Sequence, residues 1–262
     1  MTLAVALVAA TSCGGVAPAV PDANAFVRRL VVGQRVQEEA LSRYTYDVTE
    51  AREDLDGKGR IVRRRTRAYQ VYHVKGRPVR RLMARDGQPL TPAERERVDA
   101  RAQELAQAIR DGRTATEQPG VRLSRVIERY DFRLAGREDL DGRCALVFEF
   151  AALPGDFKLE RDALLRKLAG RLWVDQEDQV VSRFDAHNTG GLRIALGIAA
   201  NVSSASLRAD FVRLEPGLWL PRQVQSGAEG RKLLFVGFHL RETLWFDNYR
   251  HFEVSTDEKF GR

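Results

Sequence analysis

The side chains that most often carry out chemistry are sparse in this sequence and lack the spacing that chemistry requires. The four histidines are His73, His187, His239 and His251, and none belongs to a His-Glu-x-x-His pair. The sequence contains no Cys-x-x-Cys site, Gly-x-Ser-x-Gly elbow, P-loop or Gly-x-Gly-x-x-Gly turn. Asp185 and His187 share a face of a predicted strand, where a solvated pair is far commoner than a metal site. We therefore predict a protein that is not an enzyme, with no catalytic residue, metal or cofactor.

The N-terminal residues predict export. Residues 3–10 are uninterrupted apolar, which is too short to span a bilayer but suits the core of a signal peptide. Two ends of a leader fit: Ala17-Pro18-Ala19 matches a small-x-small cleavage site, and Ala10-Thr11-Ser12-Cys13 resembles a lipobox whose cysteine is lipidated. We predict a signal peptide over residues 1–19 and a periplasmic or outer-membrane location, with a lipid anchor on Cys13 as the second alternative.

The only other cysteine is Cys144, in the apolar run Cys144–Phe148. Because Cys13 lies in the predicted leader, the folded part is expected to keep one thiol and to form no internal disulfide. Cys144 is then expected to be a small buried apolar side chain.

Composition indicates a folded protein with a heavily charged, basic surface. The chain has 262 residues, of which 44% are hydrophobic and 30% charged, and its formal net charge is +7. This length suits one domain, placed over residues 24–255. A positive balance favours anionic partners.

The stretch from Lys58 to Arg85 is basic and contains no acidic residue. On a hairpin it would form a positive face, whose central members are Arg63, Arg64, Arg65, Arg80 and Arg81. Two interpretations remain open: a solvated face that discourages aggregation at a sheet edge, or a contact with anionic lipid headgroups. Nucleic acid is not expected as a partner, because an exported protein does not meet it.

Periodicity predicts a mainly β protein with a few helices. A helix is expected over residues 24–43, and a second, densely charged one over 91–111, where Thr91 and Glu94 form a capping box. A short amphipathic helix is expected over 157–169. Strands are expected at 44–50, 61–75, 79–85, 122–135, 143–151, 171–175, 179–187, 205–214, 218–226, 231–247 and 249–255.

Aromatic and aliphatic side chains alternate along these strands and would share one face of a sheet. Side chains of this kind are Tyr44, Tyr46, Val48, Tyr72, Leu146, Phe148, Phe150, Phe211 and Phe235. The Gly-punctuated apolar segment 190–202 is either a buried element or a mobile apolar lip over a cavity.

Five segments together resemble a known family. They are Arg137–Arg143, the strand Ala145–Phe150, Gly170-Arg-Leu-Trp-Val-Asp175, Val180-Val-Ser-Arg-Phe184 and Leu218-Trp-Leu-Pro221. In order and pattern they resemble the outer-membrane lipoprotein-sorting domains of the LolA/LolB-like type, over roughly residues 44–254. The charged helix 91–111 would be an insertion relative to a compact carrier.

The resemblance implies an α+β fold in which a curved, half-open antiparallel sheet wraps around helices and encloses an apolar cavity for acyl chains. The alternating side chains above would line that cavity, and helix 24–43 and segment 190–202 would cover it. We therefore expect an envelope protein that binds lipid or a lipidated protein. The alternative is a periplasmic regulatory or structural protein that uses the same fold to bind a partner protein and has no open lipid cavity.

Overall fold

One antiparallel sheet of twelve strands dominates the computed structural model. The residues it describes are 13, 22–113, 123–127, 129–152, 165–194, 200–232 and 236–251. Its strands are β1 (Tyr44–Leu55), β2 (Ile61–Val74), β3 (Arg77–Arg85), β4 (Gln88–Pro89), β5 (Tyr130–Leu140), β6 (Arg143–Ala152), β7 (Leu168–Asp175), β8 (Val181–Asn188), β9 (Leu192–Ile194), β10 (Ala200–Glu215), β11 (Leu218–Lys232) and β12 (Val236–His251).

The strand order is β4-β3-β2-β1-β12-β11-β10-β8-β7-β6-β5, with β9 paired to β10. The sheet is not closed, because β4 and β5 end the order without pairing to each other. Its strands are joined mostly by short turns, and β1 pairs with β12 to connect the two ends of the described chain. The predicted antiparallel half-barrel of the α+β class is confirmed.

Among the described residues, three α-helices accompany the sheet: α1 (Ala23–Ala40), α2 (Pro92–Arg110) and α3 (Leu123–Ile127). Asp22 caps α1 by accepting a hydrogen bond from the Ala25 amide. The predicted capping box of α2 is present, with Thr91 and Glu94 each satisfying the other's backbone amide. No described helix is both long and apolar enough to cross a membrane.

Two of the predicted elements differ from the structure. Residues 123–127 form α3 rather than the start of a strand, and β5 begins only at Tyr130. Leu123 and Ile127 are four residues apart and both buried, so one face of this turn packs into the core. The predicted helix 157–169 extends too far, because Leu168 and Ala169 belong to β7 and pair with β8. Its residues up to 164 lie outside the described residues.

The helices lie on both faces of the sheet. On one face, here called the α1 face, α1 and α3 cover β5–β8 and form the first core cluster with Leu146, Phe148 and Phe150 of β6. On the opposite face, α2 packs against Val79 of β3 and Tyr72 of β2. The sheet therefore wraps around α1 and α3, and the charged α2 covers its outer side near one edge.

Cys13 and Cys144 form a disulfide, with their Cα atoms 5.5 Å apart. The prediction of a single free thiol is therefore wrong. A lipid on the Cys13 sulfur and this disulfide exclude each other, and the signal peptide and the Cys13 lipid anchor stay predictions. The two cysteines are 131 residues apart in the sequence, and their pairing depends on where the fold places β6.

Candidate functional site

Backbone pairing places one row of side chains across eight strands of the α1 face. The members, in order from β6 to β2, are Phe148, Leu172, Phe184, Ala209, Val224, Leu244, Glu50 and Arg67. A parallel row runs through Phe150, Gly170, Ala186, Leu207, Ser226, Glu242, Arg52 and Arg65. Both rows pass from fully buried aromatic side chains to exposed arginines.

The aromatic end of these rows is closely packed. Phe148 is 0% exposed, and its ring stacks on Phe26 of α1 at 5.5 Å between centroids. Phe150 stacks on Phe184 at 5.2 Å and meets the edge of Tyr130 at 5.1 Å. The three β6 side chains predicted to line a cavity therefore lie together in the first core cluster, where α1 and neighbouring strands occupy their surroundings.

A second core cluster lies on the same face where β1, β2 and β12 pair. Tyr46 and Val48 are its buried centre, at 5% and 4% exposure, and half-buried Tyr44 packs at its edge. Tyr46 lies 5.3 Å from Tyr249 and 6.0 Å from Phe246, between ring centroids. Burial raises the pKa of Tyr46 to about 12, although nearby Arg80 opposes the shift. The Tyr249 hydroxyl donates to the Pro221 carbonyl at 2.6 Å.

Half-buried apolar side chains of β10, β11 and β12 lie between the two clusters. We call them the central strip, and they are Leu207, Ala209, Val224, Ala228, Leu240 and Leu244. Leu207 and Ala209 contact the first cluster and Leu244 the second. Among the described residues, Val224, Ala228 and Leu240 belong to neither cluster. The apolar core of the α1 face is therefore divided, and the division follows β11.

The start of β11 is held to α1 by two hydrogen bonds of the buried Gln37 side chain. The Gln37 side chain donates to the Gly217 carbonyl at 2.8 Å and accepts from the Trp219 amide at 2.9 Å. The Trp219 indole donates to Asp178 at 2.8 Å, and Arg213 donates to the same carboxylate at 2.6 Å. Burial alone would raise the pKa of Asp178, but these hydrogen bonds outweigh it and hold the pKa below its usual value. The C-terminal part of helix α1 thus contacts the start of β11.

The remaining predicted cavity residues are in different places. Phe211 is half-buried and packs against the first cluster. Tyr72 faces the opposite side of the sheet, against α2, because it alternates with buried Val71 along β2. Its assignment to the same cavity is therefore wrong. Phe235 lies outside the described residues, as do residues 195–199 of the predicted lip.

The five arginines predicted as one basic surface divide between the two faces. Arg64 points to the opposite face, 3.7 Å from Glu53 of β1, and Arg81 binds Asp99 of α2 through two hydrogen bonds of 2.5 and 2.7 Å. Arg63, Arg65 and Arg80 face the α1 side. The prediction of a single positive face is therefore wrong. The arginines of the basic hairpin lie on both faces, beside acidic side chains that are distant in the sequence.

A smaller positive patch remains on the α1 face. We call it the arginine patch, and it comprises Arg52, Arg63, Arg65 and Arg67, all exposed. Arg65 lies 3.5 Å from Asp54, and Arg67 lies 3.9 Å from Glu50. Arg52 and Arg63 form no ion pair with any described residue. Arg52 was not predicted, because only pairing of β1 with β2 brings it beside Arg65.

The described residues contain no group of three or more His, Cys, Asp or Glu side chains that could hold a metal ion. Asp185 lies on β8 opposite Arg208 and Arg171, on the face away from α1. The α1 face offers a half-buried apolar surface that adjoins exposed arginine side chains.

No family model and no curated protein matches the chain. Three solved structures are similar to it over most of both chains. A DUF1329 family protein from Desulfovibrio piger has 11% identity and a TM-score of 0.36, covering 89% of this chain and 95% of the other. A putative outer membrane lipoprotein-sorting protein domain from Vibrio parahaemolyticus has 11% identity and a TM-score of 0.39, covering 88% and 94%.

A LolA superfamily protein from Nitrosomonas europaea has 13% identity and a TM-score of 0.34, covering 88% and 97%. With TM-scores of 0.34 to 0.39, none of these likenesses carries a conclusion about this chain.

Proposed function

We propose that this protein is a non-enzymatic component of the cell envelope that binds an acyl chain, from a lipid or a lipidated protein, along the central strip. The observation that supports the proposal is the division of the apolar core on the α1 face. Two packed clusters flank half-buried Val224, Ala228 and Leu240, which belong to neither of them. An apolar chain laid along β11 would join the two clusters into one buried surface.

The chemistry of the strip suits a chain rather than a compact ligand. Its six side chains are aliphatic and small Ala228 lies opposite Leu240, although Ser226 and Glu242 of the same face lie between the two ends of the strip. Burial of an acyl chain contributes about 0.8 kcal/mol per methylene, so a chain of about 16 carbons gains roughly 12 kcal/mol before the costs of association. No catalytic group is required for this binding.

A second candidate, binding of a partner protein, is favoured by one specific observation. Leu146, Phe148 and Phe150 are at most 4% exposed and are occupied by α1 and neighbouring rings. These aromatic side chains of the sheet are therefore covered by the protein's own residues. Such packing is expected if the α1 face presents a fixed surface to a polypeptide. An amphipathic helix or an extended peptide could then occupy the same strip.

Polar substitution within the strip tests the proposal. Leu240→Asn should weaken binding of a fluorescent fatty acid by roughly tenfold, because one buried aliphatic contact contributes about 1–3 kcal/mol. Leu214→Asn is the matched control: Leu214 is 40% exposed near the end of β10, outside the strip, and its substitution should leave affinity unchanged.

Circular dichroism of both variants would confirm that they fold. Equal affinity of wild type and Leu240→Asn would contradict the proposal. If the wild type binds no fatty acid but binds, at the strip, a peptide that carries no acyl chain, the partner-protein candidate is correct.

A further inference from the structure

We infer that the ligand of the central strip carries an anionic group, chemically a phosphate, that is recognised by the arginine patch. This inference rests on the proposed function and specifies its ligand class as a phosphorylated amphiphile with an acyl chain. The strip and the patch belong to the same face and to the same cross-strand rows. The position of one relative to the other therefore follows from backbone register.

Two consecutive strand pairings connect the strip to the patch. Leu240 of β12 lies opposite Asp54 of β1, which lies opposite Arg63 of β2. Leu244 is related in the same way to Arg67 through Glu50. Two strand spacings separate β12 from β2, about 10 Å. A headgroup and a long arginine side chain can together span this distance.

The charge on this part of the face is unbalanced. Arg52, Arg63, Arg65, Arg67 and Arg80 face three carboxylates, those of Glu50, Asp54 and Glu242. Glu50 is shared, at 3.9 Å from Arg67 and 3.1 Å from Arg80. Asp54 pairs with Arg65, and Glu50 with both Arg67 and Arg80, while Glu242 lies opposite Arg52 across the β1–β12 pair and Asp86 also attracts Arg67. Arg52 and Arg63 form no ion pair with any described residue.

Arginine suits this role because its planar guanidinium binds phosphate through paired hydrogen bonds. The opposite face provides a contrast. There, Arg64 and Arg241 both contact Glu53, and Arg133 and Arg171 both contact Glu149. Arg52 and Arg63 lie on the side that also carries the strip.

The experiment compares two probes with the same acyl chain, a monoacylglycerol and its glycerol-phosphate counterpart, against wild type and two variants. Arg52→Gln/Arg63→Gln removes the unpaired charges. Arg133→Gln/Arg171→Gln is the control, since it removes the same charge from exposed positions on the opposite face, at 77% and 51% side-chain exposure. Affinities are measured by displacement of a fluorescent fatty acid at low salt.

Wild type should bind the phosphate probe more tightly than the neutral one. The Arg52→Gln/Arg63→Gln variant should lose roughly 30-fold in affinity for the phosphate probe, about fivefold for each arginine, and keep its affinity for the neutral probe. The control should keep both affinities. Raising the ionic strength should reduce the preference of the wild type for the phosphate probe over the neutral probe.

Equal binding of both probes by wild type would overturn the inference and leave the proposed function intact. A preference that the control variant loses as well would also overturn it, since net charge alone would then explain the result. Failure of wild type to bind either probe would overturn the proposed function itself. Displacement of the phosphate probe by inorganic phosphate alone, with no effect on the neutral probe, would support the patch as the anion site.

Discussion

Phe148→Ala should destabilise the protein far more than it affects ligand binding. Phe148 is 0% exposed and lies in the first core cluster between Leu134 of β5 and Leu172 of β7. Truncation of a buried Phe to Ala costs about 3–5 kcal/mol, because the cavity it leaves closes only partly. Loss of the stacking contact with Phe26 adds about 0.5–1.5 kcal/mol, so a cost near the upper end of this range is expected.

Urea unfolding followed by circular dichroism measures this cost, and Phe211→Ala provides the matched control. Phe211 is half-buried at the edge of the same cluster, so its truncation should cost clearly less, about 1–2 kcal/mol. Affinity of folded Phe148→Ala for the fatty-acid probe should remain within about threefold of wild type. A stability loss under about 1 kcal/mol, together with a large loss of affinity, would refute this reasoning, because Phe148 would then line an open cavity.

Three other predictions follow from single contacts. Thr91→Ala removes the capping box of α2 and should lower the free energy of unfolding by about 1 kcal/mol, measured by urea unfolding; no change would contradict the capping geometry. The pKa of Asp178 is lower in the folded protein than in the unfolded chain, so this carboxylate contributes stability above about pH 4 that is lost as the pH falls. Asp178→Asn should therefore reduce the decrease of the melting temperature with falling pH. An unchanged dependence of the melting temperature on acidic pH would contradict the role given to Arg213 and Trp219. Protein from its native host should retain residue 13 and gain about 2 Da on reduction without alkylation, and reduction should cost about 2–4 kcal/mol; an intact mass that lacks residues 1–19 would contradict the Cys13–Cys144 disulfide.

Local patterns predicted the elements of the sheet well because they depend on neighbouring residues. Alternation along β1 placed Tyr46 and Val48 on one face, and the capping box placed the start of α2 at its observed residue. The α1 helix begins and ends within three residues of its predicted bounds. These features depend on backbone propensity and on side-chain spacing within a single element.

Relations between elements could not be predicted from the sequence. Arg64 of the basic hairpin pairs with Glu53 of β1, and Arg81 pairs with Asp99 of α2. No local sequence pattern identifies these two carboxylates as partners. Burial of Phe148 depends on Phe26, 122 positions earlier in the numbering. The central strip was missed because Ala228 and neighbouring Ser and Gly residues weaken the alternation of β11.

Photocrosslinking with a fatty acid that carries a diazirine on its chain tests the central claim most directly. After irradiation and proteolysis, mass spectrometry identifies the labelled residues. Labels should fall on the central strip, within 205–209, 224–228 and 240–244, and unlabelled fatty acid should compete them away. Labels confined to α2 or to the outer face of the sheet, or labels that unlabelled fatty acid does not reduce, would contradict an acyl-chain site on the α1 face.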